Sequence, residues 1–114
     1  MNWASLTTLS QLDEIDRLSH EGPVVIFKHS TRCSVSATVW DRMNRGSATE
    51  ENPGAKWFYL DLIAHRDVSN AIATRYDVTH ESPQLLVIRN GHAVWHDSHF
   101  GISRQAVEQA LSAA

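Results

Sequence analysis

The sequence predicts an α/β fold: a four-stranded mixed sheet with helices on both faces, in a single domain over residues 1–114. Three observations carry the prediction. Short apolar runs alternate with segments of helical periodicity, so helices join strands that run parallel. One strand pair is instead separated by Asn90-Gly91, the dipeptide of a tight hairpin, which adds an antiparallel partner. Finally, 114 residues with 42% hydrophobic and 20% charged side chains suffice for one buried core without a disulfide or structural metal.

Element by element, Leu9, Leu12, Ile15 and Leu18 recur every three residues and predict a helix between Ser5 and Ser19, with Ser10 as its cap and Asp13 three residues on. Glu21-Gly22-Pro23 ends it. Val24-Val25-Ile26-Phe27 is continuously apolar, the pattern of a strand buried on both faces, and His29 to Arg32 reads as a polar turn. From Cys33, Val35, Val39 and Met43 recur every four residues beside Trp40, predicting a helix to about Asn44 that Gly46 and Ser47 end. A Pro53-Gly54 turn leads into Trp57-Phe58-Tyr59-Leu60, the second strand, closed by Asp61. Val68, Ile72 and Tyr76 mark a third helix, Leu85 to Ile88 a third strand, and Ala93 to Asp97 the strand returning from the hairpin. Ser103 caps a last helix whose apolar face is Val107, Ala110 and Leu111. Trp3, Trp40, Trp57 and Trp95 are assigned to core or half-buried packing.

Composition narrows the function. A net charge of −3 argues against a broad basic surface for nucleic acid. No run of 18 apolar residues spans a membrane. Met1-Asn2-Trp3-Ala4-Ser5 lacks the basic and apolar regions of a signal peptide, so the expected location is the cytoplasm. There is no Gly-rich phosphate loop and no Ser–His–Asp nucleophile pattern. Seven histidines invite a metal site, yet His92, His96 and His99 fall on a strand and turn, where helical spacing does not converge them. His29, His65 and His80 are read as scattered in loops, so no metal site is expected. The run Glu50-Glu51 is read as a solvated loop.

Cys33 is the sole cysteine, which rules out an intramolecular disulfide, a Cys-rich zinc site and an iron–sulfur cluster held wholly by one chain. It stands where the first long strand ends and a helix begins, the end of the sheet where open α/β folds bind ligands. Unpaired N–H groups and the macrodipole at a helix N-terminus favour an anion, and cysteines so placed titrate at ~3.5–7.5 instead of ~8.5. Lys28, His29 and Arg32 are close enough to add positive charge. Ser36, one turn along the helix, is in position to donate a hydrogen bond to the sulfur. The alternative is a buried cysteine that only packs.

The element order, Cys33-Ser34-Val35-Ser36 and the later Ser82-Pro83 together resemble the thioredoxin fold, in which a Cys-x-x-Cys helix start faces a cis-proline loop. More closely, Phe27-Lys28-His29-Ser30-Thr31-Arg32-Cys33-Ser34-Val35-Ser36 with Glu81-Ser82-Pro83-Gln84 resembles the monothiol bacilliredoxins, small bacterial general-stress proteins, over essentially the whole chain. The resemblance implies removal of bacillithiol, or a related low-molecular-weight thiol acting as co-substrate, from mixed disulfides on client proteins, with no tightly bound cofactor. It implies catalytic roles for Cys33 and Ser36, and substrate contacts from Thr31, Arg32, Ser34, Ser82 and Pro83. Arg32 and Lys28 are then the groups to attract the carboxylates of an acidic small thiol. Ser36 replaces the second cysteine of thioredoxin, and Phe27 its buried acid; both suit exchange without an internal resolving thiol. Two other classes remain open. Monothiol glutaredoxins with Cys-Gly-Phe-Ser hold an iron–sulfur cluster between subunits, although Ser34 and Val35 replace the Gly-Phe pair here. A catalytically silent adaptor would bind clients through the Pro83 loop.

Overall fold

Val24 to Phe27 lie at the centre of the sheet, as a doubly buried apolar run should. The computed structural model describes residues 3–45 and 55–112. Strands β1 (Ala4–Ser5), β2 (Val24–His29), β3 (Lys56–Asp61), β4 (Gln84–Arg89) and β5 (His92–Ser98) alternate with helices α1 (Ser10–Ser19), α2 (Ser34–Arg45) and α3 (Arg66–Tyr76) until the β4–β5 hairpin; α4 (Arg104–Ser112) closes the chain. The spatial order is β1-β3-β2-β4-β5, with β1, β3 and β2 parallel and β4 antiparallel to both its neighbours. The sheet thus has five strands rather than four. The additional strand pairs Ala4 with Phe58 and Ser5 with Tyr59 and carries no periodicity, because two residues are too few to show one. It nonetheless delivers Leu6 to the core.

Strand alternation divides the core in two. Val24 and Ile26 of β2, with Phe58, Leu60, Leu86 and Ile88, face Leu12 and Ile15 of α1 and Val68, Ile72 and Tyr76 of α3. Val25 and Phe27, with Trp57, Leu85 and Val87, face Val39 and Met43 of α2 and Val107 and Leu111 of α4. Each aliphatic side chain taken wholly out of water contributes about 1.5–3 kcal/mol. β2 is buried along its whole length, past the apolar run, since Lys28 and His29 pair with Leu60 and Asp61 of β3. His29 therefore ends a strand and does not begin a turn.

Local chemistry sets the boundaries. Ser103 caps α4 as expected, its Oγ accepting the Ala106 N–H at 3.1 Å. Ser10 does not cap α1: it is the first helical residue, and Gln11 Oε1 instead takes the N–H groups of Thr7 and Thr8 at 2.7 and 3.0 Å. Asn90 and Gly91 have φ of 52° and 77°, the left-handed pair that a two-residue hairpin requires. Val94 is an extra residue in β5, between the Ile88–Ala93 and Val87–Trp95 pairs, and forms a bulge. Between the two helices on one face, Asp16 accepts Arg75 Nη1 at 2.8 Å and the Tyr76 hydroxyl at 2.6 Å. Burial and this carboxylate push the Tyr76 phenol far above its ordinary value. Trp57 is buried, and Trp3, Trp40 and Trp95 are half-buried. Among the described residues, no helix is long and apolar enough to cross a membrane. The expected helix end at Gly46-Ser47, the Glu50-Glu51 run and the Pro53-Gly54 turn lie outside the described residues.

Candidate functional site

Cys33 immediately precedes α2 at the carboxyl end of β2. Its carbonyl accepts the Ala37 N–H at 3.0 Å, the first bond of the helix, and its own N–H donates to the Ser30 carbonyl at 3.2 Å. The sulfur is thus held at a helix start and the residue is half-exposed. Thr31, Arg32 and Ser34 around it are exposed, and Arg32 makes no ion pair among the described residues.

The Ser36 hydroxyl does not bond to the sulfur. Ser36 is fully buried, and its Oγ accepts the Ser30 N–H at 3.0 Å and lies 2.7 Å from His29 Nδ1. His29 is 7% exposed, with its ring stacked on Trp40 at 5.8 Å and packed against Tyr59 at 5.7 Å. Burial lowers its pKa, partly opposed by the Asp61 carboxylate, so the neutral imidazole is favoured. A neutral ring with its hydrogen on Nε2 takes the Ser36 proton on Nδ1. The Ser36 hydrogen is then used on His29 and its lone pair on Ser30, so the serine ties the end of β2 and the start of the Ser30–Cys33 turn to the first turn of α2. Sequence spacing had pointed Ser36 at Cys33; the only signal for its actual partner was a histidine ending an apolar strand seven residues earlier.

Lys28 is also elsewhere. It shares the β2 face of Val24 and Ile26, the face opposite α2, and is completely buried there. Its Nζ donates to the Ser69 carbonyl at 3.2 Å and lies 3.3 Å from His80 Nδ1. Burial lowers its pKa to about 8. It is therefore no free cation beside Cys33, which leaves Arg32 alone in that role.

Ser82 and Pro83 come to the site from the far side of the sheet's centre. The Lys28–Gln84 pair in the β2–β4 ladder puts Pro83, just before Gln84, beside the end of β2 from which the Cys33 turn springs. The Ser82–Pro83 bond is cis. The Pro83 carbonyl accepts the His99 N–H at 3.1 Å, tying the loop to a 3₁₀ turn, His99–Gly101, that packs against α2. Pro83 is buried, and Ser82 is half-buried. Thr31, Arg32, Cys33 and Ser34 thus form one surface with the Pro83 loop at its border, while Ser36 works beneath it. Among the described residues, no group of His, Cys, Asp and Glu is arranged to hold a metal ion.

Comparison with known proteins agrees with this geometry. The sequence model for monothiol bacilliredoxins matches residues 4–107. A solved structure provisionally described as an oxidoreductase with a thioredoxin fold is 30% identical, with 94% of this chain and 91% of that one covered at a TM-score of 0.78. Thioredoxins of Malassezia sympodialis and Fasciola hepatica, 12% and 16% identical, share the fold. Their TM-scores are 0.75 and 0.70, over 97% and 96% of this chain and 89% and 96% of theirs.

Proposed function

The chain belongs to the monothiol bacilliredoxin family, whose broad chemistry is thiol–disulfide exchange, and we propose that it strips a low-molecular-weight thiol from mixed disulfides on protein cysteines. The observation that carries this is Cys33: the only cysteine, half-exposed at the start of α2 and bordered by the cis Ser82–Pro83 loop. The Cys33 thiolate attacks the small-thiol sulfur of the client's mixed disulfide. The S–S bond to the client breaks, the client cysteine leaves as a thiolate and takes a proton from water, and Cys33 now carries the small thiol. A second small-thiol thiolate attacks that adduct at the small-thiol sulfur, giving the symmetrical small disulfide and free Cys33. This second step is required because Ser36 supplies no resolving sulfur.

Backbone groups at Ser82 and Pro83 align the client chain, and the exposed Thr31, Arg32 and Ser34 meet the small thiol, with the Arg32 guanidinium on its carboxylates. Bacillithiol, as an acidic thiol, is the proposed co-substrate, and the reducing cytoplasm the compartment. The test is a client protein thiolated in turn with bacillithiol, glutathione and coenzyme A, incubated with the chain and with Cys33→Ser. Intact-mass measurement of a Cys33 adduct, with release of the client thiol, is the expected result, fastest for bacillithiol. No adduct from any of the three would remove the exchange reading and leave the adaptor.

A further inference from the structure

Ser36 is fully buried in the first turn of α2, and Cys33 immediately precedes that helix. The residue before a helix and the third residue within it bring their side chains together, as in a capping box. A serine there is in reach of the sulfur, and a hydrogen bond from it would stabilise the thiolate. Yet among the described residues the hydroxyl makes two bonds, and neither goes to Cys33. It accepts the Ser30 N–H at 3.0 Å and lies 2.7 Å from His29 Nδ1.

The surroundings of the serine decide which atom donates in the second bond. If His29 Nδ1 donated, the serine's own hydrogen would be buried without an acceptor, since no other acceptor meets Ser36 Oγ among the described residues. With the imidazole hydrogen on Nε2, the Ser30 N–H and the Ser36 O–H both find acceptors. The ring is held in place: His29 is 7% exposed and packs against Trp40 of α2 and Tyr59 of β3. The other titratable groups that face it are the Asp61 carboxylate, across the β2–β3 ladder, and the Tyr59 phenol.

We propose that His29 is a positioning residue for Cys33: by accepting the Ser36 hydrogen it keeps the hydroxyl off the sulfur and preserves the nucleophilicity of the thiolate. The inference rests on the exchange reading for its purpose. A helix start by itself favours a thiolate. Each further tenfold gain in acidity makes the anion more abundant but slows its attack on a disulfide about threefold. Cys33 is the only sulfur nucleophile in the chain, so the attack on the client's mixed disulfide falls to it alone. A histidine that withholds the serine hydrogen protects that step.

The test measures Cys33 alkylation by iodoacetamide from about pH 4 to 10 in wild type, Ser36→Ala, His29→Phe and the double variant. Circular dichroism verifies folding of each. With His29 present, Ser36→Ala leaves the midpoint in place. His29→Phe lowers it by about one pH unit, and adding Ser36→Ala restores it. Loosened packing alone does not make one residue's effect depend on the other in this way. Equal midpoints for His29→Phe and the double variant mean that the freed hydrogen goes to a backbone carbonyl instead, and overturn the proposal. A raised midpoint in Ser36→Ala alone overturns it too, because the hydroxyl then serves the sulfur in the wild type. Attack on the disulfide of mercaptoethanol, measured above both midpoints, slows about threefold in His29→Phe, and an unchanged rate counts against the proposal. If the wild type does not attack that disulfide, it is the exchange reading that fails, and the alkylation midpoints judge His29 by themselves. Should the variants not fold, ¹⁵N shifts of the wild-type imidazole at about pH 7 decide: hydrogen on Nε2 supports the proposal, and hydrogen on Nδ1 overturns it.

Discussion

Replacing Lys28 by methionine is expected to make the protein more stable at neutral pH and less so in base. Lys28 is completely buried, its hydrogen-bond partners are a carbonyl and a histidine, and burial lowers its pKa from 10.5 to about 8. The unfolded chain keeps its proton up to 10.5, while the folded chain releases it near 8. Between those values the unfolded state binds more protons, so wild-type stability rises with pH across this window. Integrated from pH 7 to 10.5, the rise is roughly 3 kcal/mol, since each tenfold change in proton affinity is worth about 1.4 kcal/mol. Methionine fills a similar volume without the charge but forfeits two long hydrogen bonds, together worth about 1–2 kcal/mol. Lys28→Met should therefore be more stable by about 1–2 kcal/mol at pH 7 and less stable by about the same at pH 10.5, with the crossover between. Urea unfolding followed by tryptophan fluorescence at half-unit pH steps measures both proteins, and groups that titrate in both cancel in the difference. A difference that stays flat from pH 7 to 10.5 would refute the assignment of a charged, desolvated lysine at this position.

Four other substitutions probe the site and its supports. Ser36→Ala leaves a buried Ser30 N–H and His29 Nδ1 without their partner, and should lower unfolding free energy by about 1–3 kcal/mol; an unchanged urea midpoint would show that Ser36 pins nothing. Because burial depresses the His29 pKa, the unfolded chain takes up this proton first as pH drops through 6.5, so stability falls there. His29→Phe should flatten that acid limb, as read from thermal melts between pH 7 and 5. Tyr76→Phe removes the hydroxyl bonded to Asp16 and should cost about 0.5–1.5 kcal/mol in chemical denaturation. Ser103→Ala takes away the acceptor of the Ala106 N–H and should cost about 1 kcal/mol, with amide exchange accelerated in the first turn of α4.

What the sequence disclosed follows from what periodicity measures. Continuous apolar runs located β2, β3 and β4, which pack on both faces, and apolar repeats located the four helices, which each turn one apolar face to the core. Asn90-Gly91 located the hairpin because few other dipeptides adopt its two positive φ angles. The reading failed where a polar residue is buried or an element is too short. His29 looked like the start of a turn and Lys28 like a free cation beside Cys33; their pairing with Leu60 and Asp61, and the cover of Lys28 by α3, make both strand. Cys33 at a helix start was legible from the order of strand, loop and helix, and Pro83 beside it from the resemblance to the thioredoxin fold. The Ser36–His29 bond was not, as it depends on side-chain directions on two elements that meet only once the sheet forms.

The two borders of the sheet are kept from recruiting other chains by opposite means. A long, regular outer strand offers a row of unpaired peptide groups to any unfolded neighbour. β1 offers almost none, being two residues long. β5 has seven residues, but the bulge at Val94 breaks its regularity midway, and the positive φ of His99 turns the chain away just past its end. Neither margin can zip onto a passing strand, so association by strand addition is discouraged at both edges of the sheet.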